Sequence, residues 1–102
     1  MFIIHVQCIV NPDQIDAFKA TTIDNAQNTL REPGALRFDV IQEQDDPTRF
    51  MLVEIYRTQD DHARHKQTPH YEKWAAAAPD MLAEPRTRIF YNNICPNDQD
   101  WK

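Results

Sequence analysis

The first candidate for chemistry in this sequence is an acidic residue inside an apolar strand. Glu54 interrupts the run Arg49 to Arg57, whose Phe, Val, Ile and Tyr content is typical of a strand buried on both faces. A buried carboxylate must be paired, hydrogen-bonded or protonated, because an isolated buried charge is very costly. Two interpretations are open: a functional acid with a raised pKa, or a structural ion pair with Arg37 or Arg88.

Three of the four histidines follow this strand in a polar segment. On a helix that begins near Gln59, His65 lies nearly two turns in and is expected to point over the sheet toward Glu54. An imidazole near a carboxylate suits general acid–base catalysis, and a packing role is the alternative. His70 and Tyr71 open the next helix, where exposed backbone donors favour anions and phenolates. Glu54, His65 and Tyr71 are the predicted catalytic residues, and His70 is predicted to bind substrate.

Four further residues are candidates for substrate binding. Arg37 and Asp39 share one strand face. They line a pocket if that face meets the helices, and they form ion pairs in a dimer if it meets a partner. Asn25 lies beside the apolar stripe of the first helix, as a hydrogen-bonding group at the pocket edge. Trp74 is either a core residue or an aromatic wall of the pocket.

Neither a metal site nor a cofactor is expected. His62 and His65 are three residues apart, but no HExxH motif or three-ligand set accompanies them. Gly34 is the single glycine, which excludes a glycine-rich phosphate loop and a dinucleotide fingerprint. Cys8 and Cys95 lack the pattern of a disulfide framework or a CxxC site, so both are expected to be reduced thiols.

Length and charge exclude several classes of protein. The 102 residues fit one domain, and the 11 basic and 16 acidic residues give a net charge of -5 with no basic run. A nucleic-acid surface needs clustered Lys and Arg, so nucleic acid is not an expected partner. No apolar run approaches the roughly 20 residues of a membrane span. The N-terminal strand lacks a basic leader, and a cytoplasmic location without a membrane partner is expected.

The elements that must position these residues begin with a strand, Phe2 to Val10, that alternates in hydrophobicity. The sequence Asn11-Pro12-x-Gln14 predicts a capped start for a long helix. Pro33-Gly34 ends that helix in a turn where glycine can take the positive φ of a type II turn. The strand Ala35 to Gln42 follows, and a hairpin-type loop returns the chain into the strand that carries Glu54.

The second half of the chain completes the pattern β-α-β-β-α-β. Thr58-x-x-Asp61 and Thr68-Pro69 predict two short helices, and Pro79 is expected to break the second near Ala78. Arg86 to Ile94 is the last strand. Right-handed crossovers then give a ferredoxin-like α+β sandwich, a four-stranded antiparallel sheet with helices on one face. The predicted domain spans residues 1–94, and residues 95–102 form a polar tail.

The strands are apolar on both sides, which predicts a partner for the uncovered sheet face. An exposed apolar face of this extent favours a protein contact. A second copy is the expected occupant, giving a two-fold homodimer with the core of a dimeric α+β barrel.

Several segments together resemble the antibiotic biosynthesis monooxygenase (ABM) superfamily. The resemblance covers the chain to about residue 93 and is carried by Glu32 to Gln42, Asp46 to Phe50, Glu54-x-Tyr56, His65 and Thr68 to Tyr71. It is strongest to the LsrG/YgiN-like subgroup, which contains the phospho-autoinducer isomerase LsrG and quinol monooxygenase-like YgiN proteins. One departure is Ala26 after Asn25, where the isomerase pattern has histidine.

Three alternative functions are open, and the resemblance implies the first two. The favoured one is a cofactor-independent monooxygenase of a small electron-rich quinol or phenol, in which His65 removes a proton and the anion reacts with dioxygen. The second is an LsrG-like isomerase, in which an acid–base pair enolises a phosphorylated hydroxyketone while a cation such as Arg37 holds the anionic group. The third is a dimeric module that binds a small molecule without turnover.

Overall fold

The sheet and the helices of the computed structural model form the expected ferredoxin-like sandwich. The structure describes residues 1–101. One antiparallel sheet has the strand order β2-β3-β1-β4. Its strands are β1 (Phe2–Ile9), β2 (Ala35–Gln42), β3 (Arg49–Tyr56) and β4 (Thr87–Tyr91). The helices are α1 (Ile15–Thr29), α2 (Gln59–His65) and α3 (Pro69–Ala77). The last strand is shorter than predicted, and the other strands agree within one residue.

The hydrophobic core lies between the helices and the even-numbered residues of the sheet. In the register of the two central strands, Ile4, Val6 and Cys8 stand opposite Glu54, Leu52 and Phe50. Residues directly opposite each other share a face, so Glu54 points into the same layer as these core side chains. Phe18 of α1 packs on Phe50, with ring centroids 5.0 Å apart. The one acid of β3 is therefore buried between sheet and helices.

Two threonines cap the short helices as predicted. Thr58 Oγ1 accepts a hydrogen bond from the Asp61 backbone N–H at 3.1 Å, at the start of α2. Thr68 Oγ1 accepts from the Tyr71 N–H at 3.3 Å, at the start of α3. Both caps satisfy backbone donors that the first turn of a helix leaves free. They fix where the histidines of these helices fall.

Proline lies at the end of α3 and before the start of α1. The end of α3 agrees with the prediction, and the start of α1 differs from it. Pro79 stops α3 at Ala77, after which the chain continues as a 3₁₀ turn, as expected for a residue without a backbone donor. At the other end, residues 12–14 form a 3₁₀ turn and α1 begins only at Ile15. The predicted cap is absent, since the Asn11 side chain makes no capping hydrogen bond, and its amide donates to the Leu82 carbonyl at 3.4 Å.

Gly34 is required for space rather than for a positive φ. The predicted type II conformation is wrong, since Gly34 has no positive φ. A Cβ at this position would lie 2.5 Å from the Cβ of Asp61, and the Asp61 carboxyl atoms are nearer still. Glycine therefore lets the first turn of α2 dock against the loop that follows α1.

The sheet face opposite the helices is partly exposed. Ile41, Ile89 and Tyr91 are 52%, 55% and 43% exposed, whereas Ile3 and Ile55 are 8% and 4% exposed. The C-terminal segment returns to the start of β1, and the N-terminal amine pairs with the Asp98 carboxylate at 2.9 Å. No helix within residues 1–101 combines the length and the apolar character that crossing a bilayer requires. Cys8 is buried and Cys95 is exposed, and the two are not joined in a disulfide.

Replacing Gly34 by Ala is expected to lower the free energy of unfolding by about 1 to 3 kcal/mol, because the new methyl group overpacks the junction with Asp61. Urea denaturation monitored by circular dichroism measures the change. In a double-mutant cycle, Asp61→Ala should recover part of the loss, since it removes the carboxyl atoms. Additive effects of the two substitutions would contradict the close approach.

Candidate active site

Glu54 lies almost completely buried on the helix-facing side of β3. It is 7% exposed. The Tyr56 hydroxyl donates a hydrogen bond to Glu54 Oε1 at 2.6 Å. Burial raises the pKa of Glu54 to about 7, although the Tyr56 hydrogen bond and the charges of Arg88 and Arg86 oppose the rise. The charges of the two arginines leave the pKa high, which is the property that the functional interpretation of the carboxylate requires.

His65, the last residue of α2, connects Glu54 to a second carboxylate. It is 1% exposed, and burial lowers the pKa of its imidazole although Glu32 opposes this. Its Nδ1 lies 2.8 Å from Glu32 Oε2, and its Nε2 lies 4.0 Å from Glu54 Oε1. A carboxylate accepts hydrogen bonds, so Nδ1 carries the proton and donates to Glu32. The lone pair of Nε2 consequently faces Glu54.

Glu32 lies in the loop between α1 and β2 and contacts two histidines, His65 and His70. The same oxygen that contacts His65 lies 2.6 Å from His70 Nε2. Glu32 Oε2, His65 Nδ1 and His70 Nε2 all lie within 4.8 Å of one another. These three atoms are the set that could hold a metal ion, rather than the His62 and His65 pair considered from the sequence. A base oriented by a neighbouring acid is the arrangement that activates proton transfer in many enzymes.

A small cavity lies between the sheet and the helices beside Glu54. Its volume is about 20 Å³, enough for about one water molecule. It is lined by Ile4, Val6, Glu54, His62, Tyr71, Trp74, Arg86 and Arg88. The two arginines also line a wider surface groove of about 470 Å³. The cavity therefore joins a buried acid to a cationic edge that faces a groove.

Aromatic side chains from α3 form one wall of the cavity. The Tyr71 ring stands edge-on to the ring of His65, with centroids 5.1 Å apart. Trp74 Nε1 donates to Thr22 Oγ1 at 3.0 Å, and the Arg86 guanidinium lies 5.0 Å from the centroid of the Trp74 ring. Trp74 is thus a buried core residue and also a wall of the cavity.

Five predicted site residues do not line the cavity. One is His65, which lies 4.0 Å from Glu54 but is not among the lining residues. Arg37 and Asp39 stand opposite Ile55 and Val53, on the sheet face away from the helices, and they pair with each other at 2.6 Å. The condition under which they would line the pocket is therefore not met. Asn25 is buried on α1, where its backbone carbonyl accepts a hydrogen bond from the Thr29 hydroxyl at 2.7 Å. His70 lies behind His65 and reaches Glu32.

Five residues at the site were not predicted as functional from the sequence: Glu32, Tyr56, His62, Arg86 and Arg88. Two signals were available, since Tyr56 follows Glu54 by two residues and the arginines are also two apart, the spacing that places side chains on one strand face. Burial lowers the pKa of His62 to about 4, and this ring packs 5.1 Å from the ring of Tyr56. The position of Glu32 had no periodic signal, because it lies in a loop.

A family model described as Antibiotic biosynthesis monooxygenase matches residues 1–77. The chain belongs to the ABM family. Among curated relatives, an isomerase of (4S)-4-hydroxy-5-phosphonooxypentane-2,3-dione from Klebsiella pneumoniae is 34% identical to this ABM protein over 91 residues, covering 89% of the chain and 93% of the relative. The corresponding isomerase from Escherichia coli K12 is 33% identical over 96 residues, covering 94% and 100%. These relatives have the activity of the isomerase alternative.

Solved structures show the same ABM architecture. One from Nitrosomonas europaea, named for antibiotic biosynthesis monooxygenases, superposes with a TM-score of 0.90 at 44% identity and covers 92% of this chain and 99% of its own. A Mycobacterium tuberculosis protein gives a TM-score of 0.86 at 22% identity, covering 91% and 94%, which shows the shared fold alone. The ferredoxin-like fold is therefore common to these proteins.

The raised pKa of Glu54 predicts a pH-dependent effect of Glu54→Gln on stability. The folded state holds this proton more tightly than an ordinary carboxyl of pKa 4.5, so the stability contributed by protonated Glu54 is lost as pH rises through about 7. The difference in unfolding free energy, wild type minus Glu54→Gln, should fall by up to about 3 kcal/mol from pH 4 to pH 8. Urea titrations across this range measure it, and a constant difference would contradict the assigned pKa.

Proposed function

We propose that this ABM protein isomerises a small phosphorylated α-hydroxyketone of the kind named for its curated relatives, a 4-hydroxy-5-phosphonooxy-2,3-dione. The observation that carries the proposal is the pair formed by His65 Nε2 and Glu54 Oε1, 4.0 Å apart. Burial lowers the pKa of the first group and raises that of the second. Environments that separate the proton affinities of two neighbouring groups assign the roles of base and acid.

The reaction requires protons to move between two adjacent carbons. In such a dione, the carbonyl at C3 adjoins the carbinol at C4. The Nε2 lone pair of His65 removes the C4 proton, while protonated Glu54 gives its proton to the C3 oxygen, forming an enediol. Glu54 then takes the proton of the C4 hydroxyl, and His65 returns its proton to C3. Atoms and charge balance without any other reactant, and the product is the 3-hydroxy-2,4-dione.

The groups around this pair fit the rest of the substrate. Arg86 and Arg88 line both the cavity and the surface groove, so a phosphate held by them would lie in the groove with the carbon chain directed inward. This pair takes the role for which Arg37 was considered, since Arg37 lies on the other sheet face. Tyr71 lines the cavity next to His65, where its hydroxyl can donate to a substrate oxygen.

Substrate entry requires the cavity to widen. A volume of about 20 Å³ holds about one water molecule and cannot hold a five-carbon dione. Arg88 is exposed and Arg86 is half-buried, and both are long flexible side chains that separate the cavity from the groove. Displacement of these side chains by a bound phosphate would open the path to Glu54 and leave the buried acid and base in place.

Oxidation of a quinol or phenol is the second candidate function, and the description of the family model favours it. The same His65 lone pair would remove the phenolic proton, and dioxygen would accept electrons from the anion. We place it second because curated relatives 33–34% identical to this chain are isomerases. A binding module without turnover would use the same cavity. It differs from both enzymes in that it binds the compound without converting it.

His65→Asn and Glu54→Gln are each expected to lower kcat for the phosphorylated dione by about 10² to 10⁴, the contribution of a positioned acid or base. Conversion is followed by ¹³C NMR, with incorporation of solvent deuterium at C3. For the wild type, kcat/KM should decline as pH rises above about 7, where Glu54 loses its proton. His5→Asn, on the other sheet face, is the matched control and should leave kcat unchanged.

The outcomes separate the candidate functions. Dioxygen uptake with quinols that is lost in His65→Asn, together with no conversion of the dione, would replace the isomerase by the oxygenase. Binding of the dione without conversion or deuterium incorporation would leave only the non-catalytic module. Full activity in both variants would rule out the proposed acid and base.

We further propose that the chain forms a homodimer through the sheet face opposite the helices, in the cytoplasm. Support comes from the exposed apolar side chains Ile41, Ile89 and Tyr91 on that face, which a second copy would cover. Sedimentation at micromolar concentration should give a dimer, and Ile89→Glu should shift it to a monomer by burying an unpaired charge. A wild-type monomer would refute the dimer and leave the isomerase proposal standing.

A further inference from the structure

The cluster behind His65 contains more ligand atoms than proton transfer requires. Glu32 Oε2, His65 Nδ1 and His70 Nε2 come from three elements, the loop after α1, the end of α2 and the start of α3. They converge to within 4.8 Å of one another. Two imidazoles and one carboxylate are a ligand set that binds Zn²⁺ in proteins, with a further position left for water.

The distances from Glu32 to the two histidines are somewhat shorter than those between ligands of one ion. Zinc binds imidazole nitrogen at about 2.0 to 2.1 Å and carboxylate oxygen at about 2.0 to 2.2 Å, so ligands at tetrahedral angles lie roughly 3.4 Å apart. Glu32 Oε2 lies 2.8 Å from His65 Nδ1 and 2.6 Å from His70 Nε2. An ion would therefore require these distances to expand by about 0.6 to 0.8 Å, through rotation of the partly exposed Glu32 and His70 side chains.

The backbone around the cluster is held by its own hydrogen bonds. The Thr68 hydroxyl donates to the His65 carbonyl at 2.7 Å, which fixes the break between α2 and α3. The Glu32 N–H donates to the Thr29 carbonyl at 2.9 Å, and the Glu32 carbonyl accepts from the Ala35 N–H at 3.1 Å. Ligands on backbone that is already ordered lose little entropy when an ion binds.

Exposure and charge also suit an ion. The side chains of Glu32 and His70 are 15% and 17% exposed, so the cluster is partly accessible from solvent. His65 is buried at 1% exposure. One carboxylate with two neutral imidazoles leaves a divalent ion with a single net positive charge in a half-buried place.

We propose that Glu32, His65 and His70 form a binding site for a divalent transition-metal ion of the zinc type. The site would be mononuclear, with Glu32 Oε2, His65 Nδ1 and His70 Nε2 as its protein ligands. His62 is not part of it. This departs from the expectation of a chain without a metal site, because the third ligand comes from a loop that local sequence spacing does not connect with the histidines.

Ion binding at Nδ1 would change whether His65 Nε2 donates or accepts a hydrogen bond on the side of Glu54. Coordination displaces the proton from Nδ1, so the neutral ring carries it on Nε2, the atom 4.0 Å from Glu54 Oε1. A metal-bound imidazole commonly donates its other N–H to a carboxylate, and Glu54 is placed for that contact. The proton acceptor on the cavity side would then become a donor. The consequence for catalysis, inhibition by the ion, rests on the proposed function, whereas ion binding does not.

Calorimetric titration of the metal-stripped protein with Zn²⁺ tests the site. One ion per chain is expected, and Co²⁺ should give the visible absorption of a nitrogen- and oxygen-ligated ion. His70→Asn and Glu32→Gln should each weaken Zn²⁺ binding at least about 100-fold. Loss of a residue that only hydrogen-bonds to a metal ligand already costs up to about 100-fold, and these residues are ligands themselves. His62→Asn and His5→Asn are controls for the remaining histidines and should keep the affinity within about twofold.

Two results would overturn the site. The first is the absence of Zn²⁺ and Co²⁺ binding by the wild type. The second is equal affinity in the wild type and in His70→Asn, with circular dichroism showing that the variant is folded. Isomerase activity distinguishes this failure from failure of the proposed function. An active chain without Zn²⁺ binding would remove only the metal site, and a chain that binds Zn²⁺ without isomerising the dione would remove only the reaction.

Discussion

Burial of the Glu54 carboxylate constrains the chemistry of this protein more than any other interaction. The sheet places it among aliphatic and aromatic side chains, where ionisation is costly and the pKa rises to about 7. Among residues 1–101, one direct hydrogen bond, from Tyr56, keeps the group in place without neutralising it. Arg86 and Arg88 stand farther away and only moderate the pKa. The protein thereby holds an acid that can exchange its proton near neutral pH.

Glu32 organises the opposite side of the site. It contacts His65 and His70 through one oxygen and so joins the loop after α1 to the junction of α2 and α3. That junction exists because Thr68 and Pro69 end one short helix and begin the next. One continuous helix would have placed the two histidines on different sides, because five residues correspond to about 500° of helical rotation. The break is thus a requirement of the site.

The ABM fold leaves the choice of reaction to a few side chains. The Mycobacterium tuberculosis protein keeps the architecture at 22% identity, and the same sheet and helices serve relatives named as monooxygenases or as isomerases. In this chain, His65 Nε2 and Glu54 Oε1 lie 4.0 Å apart, beside a cavity edged by Arg86 and Arg88, and the proposed isomerase rests on this arrangement.

The sequence by itself determined the order of elements, the caps at Thr58 and Thr68, the break at Pro79 and the burial of Glu54. These follow from periodicity and local backbone chemistry, which act over a few residues. Only the tertiary structure decided which sheet face meets the helices, and with it the exclusion of Arg37 from the cavity. It also brought Glu32 to His65, which is 33 residues away in the chain. Contacts of that range depend on how elements pack, and no local pattern in a single sequence encodes them.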